Sequence, residues 1–215
     1  MVQKDDIMVQ KDDINKKTYN AIADIYVEEA SLDHEDKSYI DSFLENVAGN
    51  KILDLGCGPG ILSKYLSDLG YDVTGVDFAE QMISIARGIA PNAKFVVSDI
   101  ASLELDDKFD GIVLAHFLIH FSKEENIRIL NKLHNFMNPD ASLFIQFSAN
   151  LTPGIQDEPL DDTGELKMWR YSYDEDSMLE LLNTCNYNTT FSETKGNVVT
   201  MISKARVKEK SLSNR

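Results

Sequence analysis

The chain has 215 residues, 43% of them hydrophobic, and a formal net charge of −15. That length can bury one sizeable core, so a single domain is expected, and the surplus of carboxylates opposes unaided binding to nucleic acid, which phosphate neutralisation drives. No apolar run approaches the ~18 residues of a membrane span, and the N-terminus is charged where a signal peptide is apolar, so a cytoplasmic protein without a membrane partner is expected.

The chain opens on a perfect duplication, Met1–Ile7 repeated as Met8–Ile14. Seven residues is too short for a solenoid repeat. Residues 1–15 are therefore expected to be a frayed leader without function, with Met8 available as a second start. Two helices are expected next, one from the spacing of Tyr19, Ile22, Ala23 and Tyr26, one from Tyr39, Ile40, Phe43, Leu44 and Val47. Strands and helices then alternate: strand 52–55, helix 61–69 stopped by Gly70, strand 73–76, helix 79–87 stopped by Gly88 and Pro91, and strands 94–97 and 111–115. Ser122-x-x-Glu125 reads as a capping box opening a helix with Ile127, Leu130, Leu133 and Met137 inward, and residues 142–147 as a fifth strand. After a polar loop, Ser172-x-x-Glu175 reads as a second capping box, for a helix carrying Met178, Leu181, Leu182 and Cys185. Strands near 189–193 and 197–203, joined through Gly196, must be antiparallel because their connection is so short. The fold class that follows is α/β, with a doubly wound, mostly parallel seven-stranded sheet whose last strand is antiparallel. The basic end of the chain, from 206 to 215, reads as a flexible tail.

The chemistry concentrates in Asp54-Leu-Gly56-Cys57-Gly58-Pro-Gly60, a strand end running into a turn with glycine at every second position. Such a turn lets a ligand approach backbone with no Cβ in the way. Asp77 ends the next strand, 17 positions beyond Gly60, where an acidic residue accepts hydrogen bonds from ribose hydroxyls. The dinucleotide pattern would need its third small residue at Ile61, which is bulky; the glycine stands one place earlier, and Asp54 lies two places before Gly56. A carboxylate there suits a cofactor with a cationic amino group. The two cysteines, Cys57 and Cys185, give neither a disulfide framework nor a metal-spaced cluster, so no metal is expected.

On these residues the chain resembles the class I S-adenosylmethionine-dependent methyltransferases, in particular their small-molecule branch. The likeness runs from about Tyr19 to Ala205 and implies one methyltransferase domain over 16–205, with a helical cover at 16–48, a cofactor-binding core at 50–148 and a substrate cover at 150–173. It implies that the turn from Asp54 through Gly56, Cys57, Gly58 and Gly60 wraps the methionine part of S-adenosyl-L-methionine. Asp77 would grip the ribose, Phe78 and Met82 cover the adenine, and Asp99 and Ile100 hydrogen-bond it. The fourth strand, ending in Ala115 and His116, would line the donor methyl, with Tyr19 on an aromatic N-terminal helix that closes over the cofactor. Two departures stand out: Pro139-Asp140-Ala141 replaces the family's Pro-Gly-Gly turn, and His116 replaces a small or amide residue.

Several positions keep two readings open. His116, His120 and Tyr26 are candidate catalytic groups, since histidine accepts protons near neutral pH, yet in-line methyl transfer can run on positioning alone. Tyr19 and Tyr26 share a helical face and suit core packing as well as a cofactor cover. Asp99 suits a solvent-facing loop as well as an adenine contact. His34 and His134 are expected at the surface. Trp169, Arg170, Tyr171 and Tyr173 are candidate substrate contacts, with Arg170 able to pair with a substrate carboxylate. The acidic loop 156–166 is either a solvated loop or a lure for a cationic acceptor. The expected activity is methyl transfer to N, O or S of a small molecule, by a monomer or homodimer. The alternatives are a tRNA or protein methyltransferase, and a non-catalytic cofactor-binding subunit that activates a partner.

Overall fold

The computed structural model describes residues 4–206. In chain order these form α1 (Lys4–Glu29), α2 (His34–Leu44), β1 (Lys51–Leu55), α3 (Ile61–Asp68), β2 (Asp72–Asp77), α4 (Glu80–Ile89), β3 (Lys94–Val97) and β4 (Phe109–Ala115). A 3-10 turn (Leu118–His120), α5 (Lys123–Leu133), β5 (Met137–Ser148), β6 (Gly154–Asp157), β7 (Lys167–Arg170), α6 (Glu175–Thr184), β8 (Tyr187–Lys195) and β9 (Val198–Ala205) follow.

Seven strands form one sheet in the order β3-β2-β1-β4-β5-β9-β8. The first five are parallel, and β9 runs antiparallel to both β5 and β8. Side chains alternate between the faces, and both faces are buried. Leu53, Leu55, Ile112, Leu114, Leu143 and Ile145 pack against α5 and α6. Ile52, Val113 and Phe144 pack on the other face, with Ile40 and Phe43 of α2 and Leu62 and Leu66 of α3. Strand order reverses between β1 and β4, and a doubly wound sheet opens a crevice at the carboxyl ends of its strands at that point.

Five expectations are corrected. The supposed leader is helical from Lys4, and Lys11 and Asn15 are buried at 1% and 3% exposure, so residues 11–15 belong to the packed structure. Residues 1–3 and the tail 207–215 lie outside the described residues. Met137 is not in a helix: α5 ends at Leu133, and Met137 pairs with Phe109 as the first residue of β5. The Pro139-Asp140-Ala141 stretch that follows interrupts the β4–β5 register, with Asp140 taking the left-handed φ of +62° that a glycine would take without cost.

The capping box of α6 is Asp174 with Ser177, not Ser172 with Glu175. Glu175 instead accepts the hydroxyls of Ser192 and Thr194 on β8, a tertiary use that outcompetes the local one. Finally, the polar loop contains a β6–β7 hairpin, unforeseen because only four residues pair on each side. His134, expected at the surface, is half-buried and stacks on Tyr187 with ring centroids 4.6 Å apart.

Candidate active site

The turn after β1 is tied to β2 by its backbone amides. The amides of Gly56 and Cys57 both donate to the Val76 carbonyl, at 2.8 and 3.1 Å, tying the turn to β2. Gly56, Gly58 and Gly60 take φ of +72°, +51° and +82°, where L side chains are strained. The three positions serve different ends. A Cβ on Gly60 would lie 2.9 Å from the Ala86 Cβ, so this glycine lets α3 approach α4. A Cβ on Gly58 would meet nothing within 4 Å, so this glycine faces open space.

That space is a cavity at the carboxyl ends of β1, β2, β3 and β4. Asp77 stands in it at 8% exposure, oriented by the Gly58 amide at 3.0 Å to Oδ2 and the Ala79 amide at 2.9 Å to Oδ1. Burial raises its carboxyl above the usual range, while these amides hold it down. Each oxygen keeps a lone pair for a further donor. Phe78, Met82 and Ile100 give the cavity apolar wall, and Asp99 lines it with Oδ1 accepting the Ala101 amide at 2.6 Å. Asp99 is half-buried, so it lines the cavity and keeps contact with solvent as well.

A second lobe shares a wall of Tyr26, Gly56, Gly58, Ala115 and His116 with the first. Asp54 and Cys57 line only this lobe. Asp54 is 2% exposed and accepts the Ser63 hydroxyl at 2.7 Å; burial pushes its carboxyl up to about 6 against that bond. Burial also raises the Cys57 thiol well above its ordinary value, so it stays uncharged. Gly60 lines neither lobe.

The cover comes from α1, which the hairpin and the 3-10 turn hold down. Lys11 carries no side-chain exposure and reaches Glu125 at 2.6 Å and the His120 carbonyl at 3.3 Å, with its ammonium 5.0 Å from the Phe121 ring centroid. Asn15 accepts the Trp169 amide at 2.7 Å and donates to the Trp169 carbonyl at 3.1 Å, while the Thr18 hydroxyl donates to the Lys167 carbonyl at 2.5 Å. Asp12, Asn15, Tyr19 and Tyr26 then line the first lobe from one face of the helix. Sequence reasoning missed Asp12 and Asn15; the signal was there, because positions 12, 15, 19, 22 and 26 follow one helical period straight back through the supposed leader. Tyr19 and Tyr26 both pack, against Ala23 and Met82, and face the cavity, so their two readings hold together.

His120 Nδ1 lies 3.3 Å from the Trp169 carbonyl, which can only accept, and 3.4 Å from the Asn15 side-chain amide; since that amide donates to the Trp169 carbonyl at 3.1 Å, we assign the ring proton to Nδ1. Nε2 then accepts the Tyr19 hydroxyl at 3.0 Å. Burial pushes His120 down to about 4, so it is neutral with its lone pair committed to Tyr19. His116 differs. Its φ is +53°, its amide donates to the Gln146 carbonyl at 2.7 Å, and its ring has no hydrogen-bond partner among the described residues. Burial lowers its pKa, with Asp36 opposing.

The four expected substrate contacts do not line either lobe. The Arg170 guanidinium is taken by Glu158 at 3.2 Å, a carboxylate of the acidic loop that is itself buried, which removes it from pairing with a substrate. The Tyr173 hydroxyl donates to the Phe121 carbonyl at 2.7 Å and accepts from Asn126 at 2.8 Å. Trp169 supports α1 through its backbone, and the Tyr171 ring lies 5.5 Å from the Lys11 ammonium. These residues brace the cover. Among the described residues no group of three or more His, Cys, Asp or Glu is placed to hold a metal, and no helix is long and apolar enough to cross a membrane.

Known proteins resemble part of this chain in sequence and most of it in fold. Residues 52–140 match the family model described as a methyltransferase domain. A ubiquinone biosynthesis O-methyltransferase of Pseudomonas aeruginosa is 29% identical over 105 residues, covering 46% of this chain and 44% of that protein. The chain thus spans under half the length of the curated relatives it matches. A solved S-adenosylmethionine-dependent methyltransferase from Methanosarcina mazei is 25% identical with a TM-score of 0.67, over 77% of this chain and 97% of that one. The DhpI–SAH complex superposes with a TM-score of 0.75 at 17% identity, over 91% and 97%, a likeness of fold. The chain therefore carries, over residues 52–140, the methyltransferase domain of that family, set on the class I S-adenosylmethionine-dependent methyltransferase fold.

Proposed function

We propose that this chain is an S-adenosylmethionine-dependent methyltransferase acting on a small molecule, at N, O or S. One observation carries the reading: the open glycine turn and the oriented Asp77 face one cavity, and no Lys or Arg lines either lobe among the described residues. Carboxylates without cations suit a ligand that bears both an ammonium and a sulfonium. S-Adenosylmethionine, when bound, supplies an electrophilic methyl group on that sulfonium.

Asp77 accepts both ribose hydroxyls on its remaining lone pairs, held in place by the Gly58 and Ala79 amides. Asp99 and Ile100 receive the adenine edge, and Phe78 and Met82 its faces. Asp54 and the Gly56–Gly58 backbone hold the amino-acid end in the second lobe, next to Cys57. Ala115 and His116 stand at the wall between the lobes, where they would face the methyl group of a bound donor. Tyr19, with its hydroxyl tied to His120, closes the first lobe and excludes water, and Tyr26 sits over both. Positioning carries most of the rate, and the neutral His116 ring is the proton acceptor within reach.

The test is transfer of labelled methyl from S-adenosylmethionine into a cell extract fractionated into small molecules, RNA and protein, with Asp77→Ala beside the native chain. Label among the small molecules, lost in the variant, is the expected result. Label in RNA or protein would overturn the acceptor class and spare the donor.

A further inference from the structure

The loop that follows β3 leaves the sheet at its edge, where β3 is four residues long and paired only with β2. Asp77 has its own turn to orient it, whereas Asp99, two residues past β3, depends on Lys132 in the last turn of α5. A lysine at such a place ordinarily serves the carbonyls of its own helix end. Here the ammonium crosses to the loop instead and donates to the carbonyls of Ile100 and Ala101, each at 2.8 Å. Although the chain carries a net charge of −15, Lys132 has no ion pair among the described residues. It lines neither lobe, so it draws on the loop from outside the cavity.

One peptide unit carries the effect to Asp99. A peptide is planar and trans, so its N–H and C=O point in opposite directions. The Ile100 carbonyl and the Ala101 amide belong to one such unit: Lys132 holds the carbonyl, and the amide donates to Asp99 Oδ1 at 2.6 Å. Turning that plane would break both bonds together. The unit before it is pinned as well, since the Ser98 and Ser102 hydroxyls donate to the Asp99 carbonyl at 3.0 and 3.2 Å. Asp99 Oδ2 and the Ile100 amide are left without a partner among the described residues, and Ser98, Asp99 and Ile100 line the first lobe.

We propose that Lys132 is a positioning residue for base recognition: by fixing this loop it sets Asp99 and the Ile100 amide to read the amine-bearing edge of adenine and to reject the 6-oxo base. This rests on the methyltransferase reading above and adds a determinant of its donor specificity. Adenine offers an exocyclic amine that donates, next to a ring nitrogen that accepts. A carboxylate oxygen beside an amide N–H matches that pair. Hypoxanthine reverses it, with a carbonyl oxygen that accepts and a ring N–H that donates. In the same pose carboxylate would face oxygen and amide would face N–H, leaving polar groups unpaired on both sides. A loop free to turn its peptide planes loses that discrimination. Lys132 touches neither the base nor the rest of the donor, so it acts only through the loop.

Comparing two ligands on one protein tests this without turnover. The full chain is titrated by calorimetry with S-adenosylhomocysteine and with S-inosylhomocysteine, its 6-oxo analogue. The native chain should bind the adenine form at least about tenfold tighter. Lys132→Met, which keeps an unbranched stem and loses the ammonium, should cut that ratio to about threefold or less by weakening the adenine form and leaving the inosine form nearly unchanged. Lys132→Arg, whose fork can still donate to two carbonyls, should keep most of the ratio. Both ligands meet the same folded fraction, so partial unfolding lowers both affinities alike and leaves their ratio untouched. A ratio unchanged in Lys132→Met, an equal loss for both ligands, or Lys132→Arg losing the ratio as fully as Lys132→Met would overturn the proposal. So would a native chain that binds the two ligands equally. Failure of S-adenosylhomocysteine to bind the native chain would instead overturn the donor reading.

Discussion

The floor and the cover of the site are built by different means. The floor, from the β1 turn to Asp77 and Ala79, is held by backbone amides that donate to the Val76 carbonyl and to the Asp77 carboxylate, between neighbouring strand ends. The cover is held by side chains that reach across the chain: Lys11 to Glu125, Asn15 to Trp169, Thr18 to Lys167, Tyr19 to His120. A floor made of backbone needs particular residue types at particular spacings. A cover made of side-chain ties needs only that two distant segments agree.

Breaking each half separately tests that division. Lys11→Met should have the largest effect, about 3–5 kcal/mol, because it leaves the Glu125 carboxylate buried without its partner. The loss should fall on α1, seen as faster amide exchange and protease cleavage there, with the β1 turn still protected; uniform destabilisation of the whole chain would show that the cover is not a separable layer. Gly60→Ala strikes the floor instead. Its left-handed φ costs about 1–2 kcal/mol, and the 2.9 Å approach to Ala86 adds to it, so the denaturation midpoint should fall while exchange in α1 changes little.

Asp54 sharpens the contrast by pH. Its carboxyl is raised to about 6 by burial, so below that value it is protonated and loses its attraction for an ammonium. Donor affinity should fall roughly tenfold per pH unit below about 6, and Asp54→Asn should flatten that dependence; an unchanged slope in the variant would move the titrating group elsewhere. The same shift makes Asp54 a liability for stability: with its folded value raised, its contribution is present at low pH and is lost as pH rises from the ordinary carboxyl value through about 6. Tyr19→Phe should have the smallest effect, about 1 kcal/mol, because it removes one hydrogen bond and leaves His120 Nε2 unpaired. Titration of His120 by NMR should show its ring rising from about 4 only slightly, since burial and not Tyr19 dominates its shift.

The same division explains what the sequence disclosed. Gly56, Gly58, Gly60 and Asp77 were legible because each answers a local backbone demand, and the strand alternation was legible because its period is local too. The Lys11–Glu125 pair spans 114 positions, and nothing near Lys11 announces a partner. Arg170 looked available because Glu158 looked solvated; only the hairpin brings them together. Ser172 and Glu175 fit a capping box by type, and lost it because Ser192 and Thr194 claim Glu175 from another element. Met137 kept helical spacing from Leu130 and Leu133 and was taken by a strand that needed a partner for Phe109.

The seven-residue duplication acquires a meaning from the helix that contains its second copy. Seven residues make nearly two turns of helix, so adding them lengthens α1 by about 10 Å and turns it by only ~20°. The helix runs unbroken through the second copy, so Lys11, Asn15 and Tyr19 keep one face toward the site. The second copy thus supplies Lys11 and Asp12 to the latch over the site, one as a buried tie and the other as part of the lobe's wall.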